Sequence, residues 1–425
     1  MNLASQSATT SATLSFLTGA AGTGKTTELR QRAEHGSVLL AATTGVAAVN
    51  LNTRTINSTL GGYFDTADLQ RKCERGLIAR KLHELSNHIR EIAIDEISMM
   101  EADALDLLVG ALNAHNEKHF AQPISLTVSG DFAQLPPVNA NGQPKWAFTA
   151  KAWSQFTIER LTKIHRQTDA QFLAGLNHAR VGDGRAAVQA LVAAGVSFAP
   201  KIDYDFAGAT IVPKNSQVGH INGQCYQKLD GPEFTMGVVS GGILPREWKE
   251  LVPPRLSLKV GARVMILANA RDGSYANGDL ATVLDYSGGG KVWVHLQRND
   301  AEVPVTPVTR RHESAEDDDY APRCSHDPDL DYASFPYWHR ERERLVKGAI
   351  RYVPLRLAYA TTVHKSQGLT LDAVQIDPSD SFFGAGNMAY VALSRARTPQ
   401  GLRIAGSPDL LAKRINICPE VKPWI

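Results

Sequence analysis

The sequence predicts an α/β protein in which two parallel-sheet units follow one another and the second carries a β-rich insert. Three observations lead there. A phosphate-loop pattern, Gly19-x4-Gly24-Lys25-Thr26, lies between an apolar run and a stretch of helix formers. Short apolar runs alternate with helical stretches from Leu14 onward, the pattern of a parallel sheet with crossover helices. The same alternation restarts near residue 205, gives way near residue 278 to period-two alternation with Gly and Asn turns, and returns near residue 350.

The first unit follows a Ser/Thr/Ala-rich arm, residues 1–13, that has no periodicity. Leu14 to Leu17 predicts a short buried strand, and ELRQRAEHG predicts a helix that stops at Gly36. The loop between them spans Gly19, Ala20, Ala21, Gly22, Thr23, Gly24, Lys25, Thr26 and Thr27. Its glycines let backbone N–H groups turn inward around a phosphate chain, and the helix N-terminus adds roughly half a positive charge. In such a loop the Lys25 ammonium reaches the β- and γ-phosphates and the Thr26 hydroxyl serves Mg²⁺.

Val38 to Ala42 predicts a second strand, with Thr43 and Thr44 at its C-terminal edge, where open α/β sheets meet their ligands. A helix cap by either threonine fits the pattern equally well. Leu69, Cys73, Leu77, Leu82, Leu85 and Ile89 share one helical face, and the intervening Arg and Lys residues fit a solvated one. Ile92 to Ile94 predicts a strand ending in Asp95-Glu96. A carboxylate at a buried strand tip can hold Mg²⁺, and its neighbour can polarise an attacking water. Ile124 to Val128 predicts the next strand, followed by Asp131, Gln134 and the stiffening Pro136-Pro137. A glutamine amide there can donate to a γ-phosphate while accepting from water; a polar turn is the alternative.

Arg166 precedes an amphipathic helix, and taken alone it is a surface charge. Thr210 to Val212 and the helix after it open the second unit. Residues 310–334 are acidic, Pro-containing and aperiodic, which predicts a mobile loop in the insert. Thr361, Thr362, His364, Lys365 and Gln367 occupy a polar turn, and MAYVALSRAR predicts a helix carrying Arg395 and Arg397 before a closing strand.

At 425 residues the chain has room for roughly two to four domains. A net charge of +2 confines any nucleic-acid surface to a local groove. The four cysteines are dispersed without a C-x-x-C pair, which predicts free thiols in a reducing compartment. No run approaches the roughly 18 apolar residues of a membrane span, so the expectation is a cytoplasmic protein without a membrane partner, nucleoid-associated if bacterial.

In this order TGAAGTGKTT, AATTGVAAVN, IDEISMM, SGDFAQLPPV, IHRQ, VHKSQGLTLD and YVALSRAR resemble motifs I, Ia, II, III, IV, V and VI of superfamily 1 helicases. Their spelling is most similar to the Pif/RecD/Dda branch, DNA helicases that move 5′ to 3′. The resemblance runs from Leu14 to Ile404. It implies two RecA-like P-loop domains with ATP in the cleft between them and single-stranded DNA across their top. A small wedge would be inserted in the first domain and a Src-homology-like β-barrel in the second. The corresponding spans are 14–200 for the first domain with its wedge at 58–90, 201–278 and 350–425 for the second, and 279–349 for the barrel.

The same resemblance implies roles residue by residue. Lys25 is the phosphate lysine, Thr26 and Asp95 the Mg²⁺ ligands, and Glu96 the general base. Gln134 senses the γ-phosphate, Arg166 and Arg395 contact it across the cleft, and Gln367 and Gly368 adjoin the nucleotide. Thr43, Thr44, Thr362, His364 and Lys365 resemble positions that touch the DNA backbone. The implied partners are single-stranded and tailed duplex DNA, the cofactors ATP and Mg²⁺, and the minimal unit a monomer acting in DNA replication, repair or recombination.

Two departures stand out. Relatives usually place an adenine-reading glutamine on a helix upstream of the phosphate loop. Here Gln6 lies in the Ser/Thr-rich arm, which predicts a relaxed choice of NTP. The family's Thr-x-His-Ser-Phe-like stretch appears as TINSTLGGYF, with Asn57 and Thr59 in place of the His and the aromatic. Tyr63 or Phe64 can supply the base stacking instead, or can pack in the wedge. A translocase acting on protein–DNA complexes or RNA, and a nucleotide-regulated DNA-binding accessory protein, are the alternatives to a DNA helicase.

Overall fold

Parallel pairing begins at the strand that feeds the phosphate loop. In the computed structural model, which describes residues 12–34, 36–51, 53–62, 65–137, 145–244, 254–270, 272–275, 278–314 and 345–425, β1 (Leu14–Gly19) pairs with two later strands. Five strands join it: β2 (Val38–Ala42), β3 (Arg54–Thr55), β4 (Glu91–Asp95), β5 (Ser125–Gly130) and β6 (Thr157–Leu161). Their order is β3-β2-β4-β5-β1-β6, and every neighbouring pair is parallel. The C-terminal ends of β1, β4 and β5 therefore emerge side by side, carrying Gly19, Asp95 and Gly130.

Helices α1 (Lys25–Ala33), α2 (Gly45–Asn50), α3 (Ile56–Thr59), α4 (Thr66–Glu74), α5 (Leu77–Ser86) and α6 (Ala102–Lys118) connect these strands. The expected single helical face between Asp68 and Ile92 is two helices. Gly76, at φ 71° in the left-handed region that only glycine enters freely, breaks them apart and begins α5. Leu69, Ile78, Leu82 and Ile89 pack with Leu105, Leu108 and Leu112 of α6, so the 58–90 segment shares the core of the first sheet. Beneath the site, Phe16 of β1 meets Phe132 and Trp153 at centroid distances of 5.3 and 4.9 Å, and Phe148 and Trp424 extend the cluster.

Two further helices, α7 (Ala170–Arg180) and α8 (Gly184–Ala193), lead to a second sheet. It contains β7 (Ser197–Ala199) and β8 (Ala209–Val212), together with three strands from the end of the chain, Ala360–Thr362, Val374–Ile376 and Leu402–Ala405. The strands at 209, 374, 402 and 197 pair in parallel in that order. The C-terminal turn Pro419–Trp424 returns to the first sheet, where Val421 and Trp424 join its core. Residues 1–218 and 361–425 make one compact unit, so both parallel sheets lie in it.

Residues 219–360 make the other unit. Among the described residues its strands pair antiparallel throughout. A five-stranded sheet is built from Arg263–Ile266, Leu280–Tyr286, Val292–Leu296, Glu302–Val305 and Leu355–Leu357 around Val264, Val283, Val294 and Leu355. Alternating burial along Leu280–Tyr286 and Val292–Leu296 is what the period-two pattern predicts. The antiparallel strands begin at Glu233, earlier than the expected 279, because Phe234 and Met236 alternate over only five residues and give a weak signal. The fold is thus two RecA-like parallel sheets with an antiparallel insertion of the Src-homology-like kind in the second. Of the acidic stretch, the strand Val308–Ser314 is seen and the remainder lies outside the described residues.

Candidate nucleotide site

The phosphate loop is shaped by two glycines in left-handed conformations, Gly22 at φ 84° and Gly24 at φ 89°. Gly19 has no room for a side chain: a Cβ there would stand 2.5 Å from the Leu161 carbonyl oxygen. Gly24 begins α1 with no side-chain cap, so the first-turn N–H groups, which have no partner inside the helix, face the loop. Lys25 folds back, its Nζ donating to the carbonyls of Gly19 at 2.7 Å and Ala20 at 3.0 Å. Burial lowers its pKa, against the opposing pull of Asp131, Glu96 and Asp95. Backbone donors beside a buried ammonium fit a phosphate chain.

Thr26 Oγ1 donates to Asp95 Oδ2 at 2.8 Å. A hydroxyl and a carboxylate in contact offer the hard oxygen donors that Mg²⁺ prefers, so the pair fits that ion. Glu96 follows in a left-handed backbone conformation, φ 59°, which is rare for a non-glycine residue. It is held there by its own N–H on Asp95 Oδ1 at 2.9 Å and by Thr43 Oγ1 on its carbonyl at 2.7 Å. Burial, and then the Asp95 charge, push the Glu96 carboxyl up to about 7, while Lys25, Arg395 and Gln367 pull it down.

The second half reaches this carboxylate directly. Gln367 Nε2 donates to Glu96 Oε2 at 3.0 Å and to Gln134 Oε1 at 3.3 Å. Asn387 Nδ2 donates to the carbonyls of Phe132 and Gln134, at 3.0 and 2.8 Å. Gln367 Oε1 is buried with no partner among the described residues, leaving an acceptor beside Glu96 for a water proton.

Arg166 lies over the loop, its Cβ where a side chain on Gly22 would have to be, and donates to the Ser394 carbonyl at 3.2 Å. Arg395 is 1% exposed and accounts for itself with backbone: its guanidinium donates to the carbonyls of Val391, Leu369 and Ser366 and to Ser394 Oγ. Burial and the nearby Arg166 lower its pKa to about 9. Gly368 is exposed at φ 79°, ending the turn that presents Gln367.

Three groups at the site carry no local signal. Tyr390 Oη accepts from the Ala21 N–H at 2.9 Å and donates to Asp131 Oδ2 at 3.1 Å. Arg180 pairs with both Asp131 oxygens, at 2.9 and 3.3 Å. Gln167 donates to the Ala396 carbonyl at 3.0 Å. Tyr390 opens the YVALSRAR stretch, but nothing in that window marks its hydroxyl as a partner of Asp131, 259 residues away.

Thr44 and Thr362 both act as helix caps, accepting from Ala47 N and Lys365 N at 3.2 Å. Lys365 Nζ approaches Asn215 Oδ1 at 3.4 Å, burial lowers the His364 pKa, and Asn57 is half-buried in α3. Tyr63, Phe64 and Gln6 lie outside the described residues.

Two RecA-like sheets meeting over a phosphate loop, an acidic strand end and paired arginines define a P-loop nucleotide hydrolase of the helicase class. Residues 2–182 match the PIF1-like helicase family model and 357–399 the UvrD-like helicase C-terminal domain. The ATP-dependent DNA helicase Pif1 of a Psychrobacter species is 31% identical over 93% of this chain, and that of Bdellovibrio bacteriovorus 30% identical over 92%. The alignments span 66% of the first relative and 84% of the second. Among solved structures, the Pif1 helicase of Candida albicans superposes with a TM-score of 0.74 at 26% identity, covering 97% of this chain and 95% of that one. Bacteroides Pif1 in complex with ADP-AlF3 and single-stranded DNA gives 0.65 at 27%, covering 96% and 91%. The chain belongs to the Pif1 family of ATP-dependent DNA helicases.

Proposed function

We propose that this chain hydrolyses ATP to move 5′ to 3′ along single-stranded DNA, separating duplex as it goes. The observation that carries this reading is the Gln367–Glu96 contact, which lets a residue of the second half touch the carboxylate beside the phosphate loop. Lys25 and the loop N–H groups bind the phosphates. Thr26 and Asp95 hold Mg²⁺, which neutralises phosphate charge when bound. Glu96 takes the proton of the attacking water, Gln134 and Gln367 orient that water, and Arg166 and Arg395 stabilise charge on the transferring group.

Because Gln367 follows Thr362 and Lys365 in one turn, a change at the nucleotide is passed to residues that we assign to the DNA backbone. Thr43 gives the first half the same linkage, since it holds the Glu96 carbonyl and adjoins Thr44. Backbone contacts carry no sequence information, which suits movement along any strand. The related Bacteroides structure with single-stranded DNA supports the choice of substrate. Mixing the protein with ATP and duplexes bearing a 5′ or a 3′ tail tests it. Unwinding of the 5′-tailed duplex alone is expected; unwinding of the 3′-tailed duplex, or of neither, contradicts the proposal.

A further inference from the structure

Three histidines of the first half lie outside the nucleotide site. His115 and His119 stand one helical turn apart where α6 ends, and His83 comes from the last turn of α5, packed alongside. One ring nitrogen of each lies within 4.8 Å of the other two. The rings touch: His83 and His119 stack with centroids 4.3 Å apart, and His115 is 4.9 Å from His119.

A residue pair four apart on one helix, joined by a third from its neighbour, points three imidazoles at one spot. His115 is 3% exposed and fixes the base of the cluster, while His119 is half-buried and His83 exposed, so these two can adjust to a ligand. His115 Nε2 is 3.4 Å from the Gln122 carbonyl oxygen. Donation there leaves Nδ1 with its lone pair, the state in which metal-bound imidazoles are commonly held by a backbone carbonyl. The segment that carries this carbonyl is itself anchored. Asn116 donates to and accepts from the Ile124 backbone at 3.0 and 2.8 Å, and Ser86 Oγ donates to Gln122 Oε1 at 3.3 Å.

We propose that His83, His115 and His119 bind a divalent transition-metal ion, zinc foremost, which clamps α5 to α6. Three imidazoles and a water complete the tetrahedral shell zinc accepts, and imidazole suits zinc better than it suits Mg²⁺. The clamp would tie the 58–90 insertion to the helix that follows Asp95-Glu96. Neutral rings that merely stack would bind no metal.

The test is titration of the full chain, stripped of metal by a chelator, with Co²⁺ and then Zn²⁺. Ligand-field bands of four-coordinate intensity, lost on adding equimolar Zn²⁺, are expected, along with a rise in unfolding temperature on adding Zn²⁺. His83→Ala and His119→Ala should each weaken Zn²⁺ binding at least about tenfold, while His88→Ala leaves it unchanged. Circular dichroism of the metal-free variants checks the fold, and His83 is exposed enough to be replaced without disturbing it. Absence of the bands, or Zn²⁺ affinity that survives the His83→Ala/His119→Ala double replacement, overturns the proposal.

Discussion

Gln367 and Glu96, 271 residues apart in sequence, are joined by a 3.0 Å hydrogen bond from the amide of the first to the carboxylate of the second. The contact makes the proposed base sensitive to the position of the second sheet.

Its first consequence concerns pH. A base works only when ionised, and the Glu96 carboxyl titrates at about 7, so hydrolysis should be low in acid and rise through that pH. Gln367→Ala removes a donor that favours the ionised form, so the rising limb should move to higher pH. Profiles of kcat against pH for both proteins measure this; a limb that stays in place would separate Gln367 from the base.

Arg395→Lys keeps the charge and loses the planar fork that reaches three carbonyls and a hydroxyl. Turnover should drop on the order of 10²–10³-fold with little change in nucleotide affinity, as for loss of a transition-state donor. Parallel measurements of kcat and of nucleotide binding check it, and equal losses in both would assign the arginine to ground-state binding.

Arg180→Ala strands the fully buried Asp131 carboxylate, leaving Tyr390 Oη and the Ala133 N–H as its partners. Breaking one side of a buried pair costs about 3–5 kcal/mol. Denaturant unfolding should show a loss of that size, with Asp131→Asn/Arg180→Met recovering part of it.

Phe132→Ala empties the centre of the aromatic cluster under the site, which touches Phe16, Trp146, Phe148, Trp153 and Trp424. A loss of about 3–5 kcal/mol is expected from lost burial and the cavity left behind. Calorimetry reads it as a lowered unfolding temperature; an unchanged temperature would mean the cluster is not part of the core.

What could be read from the sequence was whatever a short window encodes. The strand Val38–Ala42 has the bounds its apolar run predicts, and the loop from Gly19 to Thr26 declares its own geometry through its glycines. The strand Thr157–Leu161 gave no such signal, since four of its five residues are exposed at the sheet edge and no apolar run marks it. The helix Gly184–Ala193 was hidden because it starts on a glycine capped by Asp183. Within the site, Tyr390 and Arg180 were silent for a different reason: Asp131 lies 259 and 49 residues away from them, and only folding makes the pairing.

Hydrolysis of ATP by Glu96→Gln and the unaltered chain, each with and without single-stranded DNA, tests the account most directly, with nucleotide binding measured alongside. The unaltered protein should be stimulated by DNA, while the variant should bind ATP yet lose on the order of 10²–10⁴-fold in hydrolysis. Hydrolysis retained by Glu96→Gln, or a rate in the unaltered protein that ignores DNA, would contradict it.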